Sequence, residues 1–172
     1  MSRIDVLTDE HTPEASRPLL AGIKQAIGVV PNVFKVLAHS PAALNTYLQF
    51  NQANDKGSLA ARQRETVSLA VSQHNACEYC TAAHSFMGAR AGMTGEELRS
   101  ARDGQLDAYA VFAREVTASR GQVSDAVLLQ AREAGLIDAA IIDIIAQVTL
   151  LTFTNLLNNV AKTTLDFPPV EA

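Results

Sequence analysis

His74, Cys77, Cys80 and His84 fall within the eleven residues HNACEYCTAAH, the densest gathering of nucleophilic and proton-carrying side chains in the sequence. Cys77 and Cys80 are the only two cysteines. In a reducing compartment, a pair this close serves redox catalysis or metal binding more readily than structural cross-linking. On a helix, Cys80 and His84 would stack on one face, with Cys77 three residues earlier at the helix entrance. A thiol at that entrance meets unpaired backbone N–H groups and the positive end of the helix dipole, both of which favour thiolate. An imidazole one turn away adds to this, as a proton acceptor or as a nearby positive charge. The two thiols are also close enough to form a disulfide if the backbone permits.

Glu65 lies twelve residues before Cys77, in the segment LAARQRETVSLAVSQ. Its neighbours on one helical face, Ala61, Ser68, Leu69 and Ser72, are small or weakly polar. An acid in such an inward-facing groove would have a raised pKa and exchange protons near neutrality. Periodicity alone leaves an exposed surface glutamate equally open. Four potential zinc ligands invite a metal site, but structural zinc sites usually join ligand pairs from separate segments, whereas these crowd one helix entrance. No metal is expected. A thioredoxin-type site would need a preceding strand and βαβ units. His74 could line a pocket, although a charged imidazole at a helix C-terminus is the favoured role. His11 and His39 fall near helix ends or loops and receive no role. Phe86, Met87 and Met93 read as core or pocket wall, and Arg62, Arg64 and Arg90 as a solvated face.

The elements that must position these groups are all helices. Capping residues, Pro and Gly predict helices over 13–27, from Asn32 to before Pro41, 41–55, from Ser58 to His74, and 78–91. A short helix opens at Thr94 through the capping-box pair Thr94 and Glu97, and others span 106–120, 124–134 and 138–165, the last stopped by Pro168. That last segment is apolar nearly all round, so it needs cover from its own domain or from a second subunit.

Composition agrees. The chain has 172 residues, within the range of one domain, and is 48% hydrophobic with 6 Phe, 3 Tyr and no Trp. Aliphatic cores of this kind suit close-packed helices. The net charge of −4, without a cluster of basic residues, argues against a nucleic-acid partner. The N-terminal residues show neither a secretory signal nor a transit peptide, so a cytoplasmic protein is expected. The apolar stretch 137–157 contains Asp138, Asp143, Gln147 and Asn155 and reads as a core or interface helix, with no membrane partner.

Glu65, Cys77-Glu78-Tyr79-Cys80 and His84, at these spacings, resemble the motif of the alkyl hydroperoxidase D-like proteins, within the carboxymuconolactone decarboxylase-like superfamily. The upstream PNVFKVLAHSPAALNTYLQF is similar to that superfamily's peroxidase-related branch, so the resemblance spans at least 29–92. It implies a single all-α, compact multi-helix domain over 1–172, assembling as a homo-trimer or homo-hexamer. It also implies a thiol-dependent peroxidase or disulfide oxidoreductase acting on a hydroperoxide with a dithiol reductant. Its only cofactor would be its own redox-active disulfide. By the same resemblance, Cys80 is the attacking thiol, Cys77 the resolving thiol, and Glu65 with His84 the proton relay. Tyr79 departs from the pattern, standing where the family's better-known members have histidine; a phenol with a reference pKa of about 10 cannot shuttle protons at neutral pH. Two alternatives remain: a non-catalytic helical oligomer whose thiol pair is a redox sensor or vestigial, and a lactone decarboxylase-like enzyme. The cysteine pair, generally lacking in the decarboxylase branch, argues against the second.

Overall fold

In a computed structural model of the chain, which describes residues 2–170, a 3-10 turn at Glu14–Ser16 leads into helices and no strand occurs among the described residues. The helices are α1 (Arg17–Ile27), α2 (Asn32–Leu37), α3 (Pro41–Asn54), α4 (Ala61–His74), α5 (Glu78–Arg90), α6 (Gly95–Arg102), α7 (Ala108–Ser119), α8 (Asp125–Glu133) and α9 (Asp138–Ala161). The fold is all-helical, as expected. Most ends follow from local chemistry: Ser40, Thr94, Asp107 and Ser124 each accept a backbone N–H of the first turn, and Glu97 reaches back to the Thr94 N–H.

Several ends depart from expectation, among them that of α1, which starts at Arg17 rather than at residue 13; at two of them a tertiary contact claims the residue. Asn32 lies inside the first turn of α2, behind an N-cap Pro31, and its side-chain amide donates to the Thr164 carbonyl at 3.0 Å. Ser58 does not cap α4; its N–H and Oγ both donate to Asp143 Oδ2 at 2.6 Å, and α4 starts at Ala61. α9 stops at Ala161 rather than near residue 165, because Lys162 turns into the left-handed region at φ 49°. The chain beyond then runs back across the molecule, Asp166 Oδ2 accepting the Asn32 N–H at 2.8 Å.

α4 is the central helix, flanked by α5, α6, α7 and α9. One buried cluster joins α4, α7, α8 and α9; a second joins α1, α2, α3 and the start of α5 and contains both cysteines. Tyr47 of α3 packs against both. α9 is long and apolar enough by composition to cross a membrane, yet half of its most apolar window is buried in this fold. Its buried face carries the polar side chains Gln147, Thr154, Asn155 and Asn158 toward α4 and α5. The opposite face exposes Ile142, Ile145, Phe153, Leu156 and Val160 as one stripe at helical spacing.

Candidate active site

The turn between α4 and α5 sets the position of the thiols. Cys77 N–H donates to the Ser72 carbonyl at 2.9 Å and Ala76 N–H to the Gln73 carbonyl at 3.1 Å, the paired bonds of a Schellman motif. Its left-handed position, usually glycine, is Ala76 at φ 50°. The turn delivers Cys77 as the N-cap of α5, where its Sγ accepts the Cys80 N–H at 3.3 Å. Both sulfurs are interior, with Cys77 1% and Cys80 4% exposed.

One turn into α5, His84 Nδ1 meets Glu65 Oε2 of α4 at 2.8 Å, with both side chains mostly shielded from solvent. Glu65 is therefore an inward-facing acid, brought to the cysteine helix by the packing of α4 on α5. Gly88, one turn further along α5, makes room for α6 and the preceding loop: a Cβ there would stand 2.8 Å from Leu98 Cδ2 and 3.1 Å from Met93 Sδ. Burial pulls the His84 imidazole down, but the charge and hydrogen bond of Glu65, aided by Cys80, outweigh it and raise its pKa. Cys80 is shifted below an ordinary thiol, first by its hydrogen bond with Cys77, against burial, and then by the positive charge on His84 and the amides of Asn158 and Asn155. Cys77 is shifted up by the same bond to Cys80, by burial and by the Cys80 charge. The helix entrance was expected to favour a thiolate on Cys77, but burial and the bond to Cys80 hold the proton on Cys77, and the lowered thiol is Cys80, one turn into α5.

Other groups at the site were not singled out as site residues from the sequence. Asn158 Nδ2 donates to Cys80 Sγ at 3.2 Å. Asn155 bridges Ser72 Oγ and the Asn75 side chain at the end of α4, and Asn159 Nδ2 donates to the Asn75 carbonyl at 2.9 Å. Gln147, one of the polar residues of the apolar stretch, bonds Ser68 Oγ at 3.0 Å on the same α4–α9 seam. The sequence signal was present: Gln147, Asn155 and Asn158 share one face of an otherwise apolar helix. Tyr47 lies close enough that burial, followed by the charges of Cys80 and Glu65, pushes its phenol up.

Several neighbours of the motif stand elsewhere. Tyr79 OH donates to Asp166 Oδ1 at 2.6 Å and accepts the Val33 N–H at 3.2 Å, its ring edge-on to Phe167 at 5.7 Å. Burial and the Asp166 bond raise its pKa, so it anchors the C-terminal segment and lies outside the Glu65–His84 pair. Met87 and Phe86, expected as core or pocket wall, are exposed, because their face of α5 turns from α4; Phe86 meets only Phe167 and Arg90 among the aromatic and cation contacts, while Met93 is buried. His74 is exposed in the last turn of α4. His39 Nε2 bonds the Asp5 carbonyl and His11 Nδ1 the Thr8 hydroxyl, both at 2.9 Å. Arg62 pairs with Glu97, and Arg64 with Asp55 at 3.4 Å. Among the described residues, no three His, Cys, Asp or Glu side chains converge as a metal site.

Residues 41–121, which include the Glu65, Cys77, Cys80 and His84 constellation, match the carboxymuconolactone decarboxylase family. The whole fold superposes on the alkylhydroperoxidase AhpD core of a peroxidase-related protein from Ralstonia eutropha JMP134, with TM-score 0.84, 25% identity, and coverage of 96% of this chain and 92% of that one. Over residues 41–121, just under half of its length, the chain is similar to the carboxymuconolactone decarboxylase family. A second peroxidase-related protein, from Silicibacter sp. TM1040, superposes with TM-score 0.79 at 20% identity, over 95% of this chain and 91% of that one. The same fold is found in the debrominase Bmp8, whose apo structure gives TM-score 0.77 at 16% identity over the same shares of the two chains. Among curated proteins, none matches this sequence.

Proposed function

We propose that the protein is a thiol peroxidase, or dithiol–disulfide oxidoreductase, that reduces hydroperoxides with Cys80 and Cys77. The observation that carries this reading is the largely shielded Glu65–His84 pair one turn from a thiol of lowered pKa. Cys80 thiolate attacks the terminal oxygen of ROOH; the S–O bond forms, the O–O bond breaks, and the departing alkoxide takes a proton supplied by His84. Glu65 keeps that proton available by holding the imidazole charged. Cys77, placed at the helix entrance with its thiol on Cys80, then displaces hydroxide from the Cys80 sulfenic acid. Water leaves and a disulfide forms. An external dithiol exchanges with that disulfide and restores both thiols. A reducing, cytoplasmic setting would supply such a reductant.

Comparison with the two peroxidase-related structures supports this chemistry over decarboxylation, as does the presence of two thiols in one proton-relay site. The deciding experiment is peroxide consumption with a dithiol reductant in excess. Many equivalents should be consumed per chain, and the Cys80→Ser protein should consume none. Oxidation of one equivalent followed by arrest would make the pair a sensor and refute the enzyme. The exposed apolar stripe of α9 supports a homo-trimer or homo-hexamer in which this face is covered by another copy.

A further inference from the structure

Asn158 is 4% exposed and directs its two polar atoms very differently. Nδ2 donates to Cys80 Sγ at 3.2 Å, whereas Oδ1 is buried without a hydrogen-bond partner. The orientation of the amide follows from the charge on its neighbour. A Cys80 thiolate can only accept, so the NH2 group must face it and the carbonyl oxygen is left over. A buried carbonyl oxygen without a donor is unfavourable, and such groups are rare in folded proteins. This one belongs to the side chain that touches the reactive sulfur, so a donor arriving at that sulfur would satisfy it.

We propose that Asn158 is the hydroperoxide-binding residue of the site, with Oδ1 accepting the O–H of ROOH while Nδ2 holds the Cys80 thiolate. This rests on the peroxidase reading above and adds a substrate contact to it. The oxygen bearing the hydrogen is then the one presented to sulfur. As the S–O bond forms and the O–O bond breaks, sulfur gives up two electrons, and that O–H becomes the sulfenic acid hydroxyl. Its bond to Oδ1 is kept throughout, and the RO− fragment leaves as ROH with the proton from His84. A consequence is selectivity by chemical class. Hydrogen peroxide and alkyl hydroperoxides carry the required O–H, and dialkyl peroxides do not.

The test compares two electrophiles on the reduced protein and on Asn158→Ala. Hydrogen peroxide needs the Oδ1 acceptor, whereas iodoacetamide reports only thiolate accessibility. Each rate constant is divided by the Cys80 thiolate fraction, titrated in the same protein, so that a changed pKa drops out. The peroxide rate should fall about tenfold or more, the worth of one hydrogen bond in a buried site, while the iodoacetamide rate stays within about threefold. Rates that fall together, or a peroxide rate that does not fall, would overturn the assignment. Asn158→Ser, which keeps a small polar side chain, supplies the same comparison if the alanine protein does not fold. If the parent protein reacts with peroxide no faster than a free thiolate, the peroxidase reading itself fails, and this assignment with it.

Discussion

Replacing Glu65 by glutamine keeps the side-chain shape and removes one charge. That carboxylate lies 2.8 Å from His84 Nδ1 in a largely shielded site. At an effective dielectric of about 20, unit charges about 4 Å apart interact by about 4 kcal/mol. Without that interaction, burial dominates and His84 becomes neutral at neutral pH, so its charge no longer acts on Cys80. Cys80 starts with a pKa lowered to about 6. A rise of about one unit, or 1.36 kcal/mol, would cut its thiolate fraction at pH 7 from roughly nine-tenths to about half. Alkylation of Cys80 at pH 7 should therefore slow only about twofold, with its midpoint moved to higher pH. Peroxide reduction also loses its proton donor and should slow by about 10² to 10⁴. The assay follows both reactions from pH 5 to 9 on Glu65→Gln and the parent protein. An unchanged alkylation midpoint together with an unchanged peroxide rate would refute the relay and leave the helix entrance as the only activator.

Other expectations follow from the same geometry. In the parent protein, peroxide reduction should fall as pH drops through about 6, where Cys80 takes up its proton, and fall again at high pH as the raised His84 loses its own; a rate that climbs steadily with pH would contradict this. Ala76→Gly removes a left-handed alanine and should raise unfolding stability by about 0.5 to 1.5 kcal/mol, measured by urea denaturation, with a loss of stability counting against the strain. Tyr79→Phe should cost about 1 to 3 kcal/mol through the lost Asp166 bond, yet leave the peroxide rate within about threefold; a hundredfold loss would place the phenol in the chemistry. Light scattering should return a multiple of the 18.4 kDa chain, and Leu156→Asp on the exposed stripe should shift it toward 18.4 kDa; a monomeric parent protein at micromolar concentration would remove the assembly.

What could be read from the sequence was what lies close along the chain. Cys77, Cys80 and His84 share one helix entrance, and helical spacing alone stacks the last two. The Thr94–Glu97 box is equally local. Glu65 was undecided because its partner is nineteen residues away on another helix, and only the packing of α4 on α5 joins them. Asn158 lies 78 residues from Cys80, and Asp166 lies 87 from Tyr79, so neither partner is encoded by spacing. Two of the misplaced helix ends have the same origin. Asn32 and Ser58 have good capping side chains, but both are taken by distant partners in the folded chain. Lys162 ends α9 without any glycine to signal it.

The central claim is that Cys80, ionised beside His84 and Glu65, is the atom that meets peroxide. Its most direct test is to treat reduced Cys77→Ser and Cys80→Ser proteins with one equivalent of hydrogen peroxide in the presence of dimedone, and to locate the adduct by peptide mass spectrometry. The expected result is a sulfenic acid adduct on Cys80 in the Cys77→Ser protein and none in the Cys80→Ser protein. An adduct on Cys77 in the Cys80→Ser protein, with Cys80 unlabelled in its counterpart, would contradict the account and reverse the roles of the two thiols.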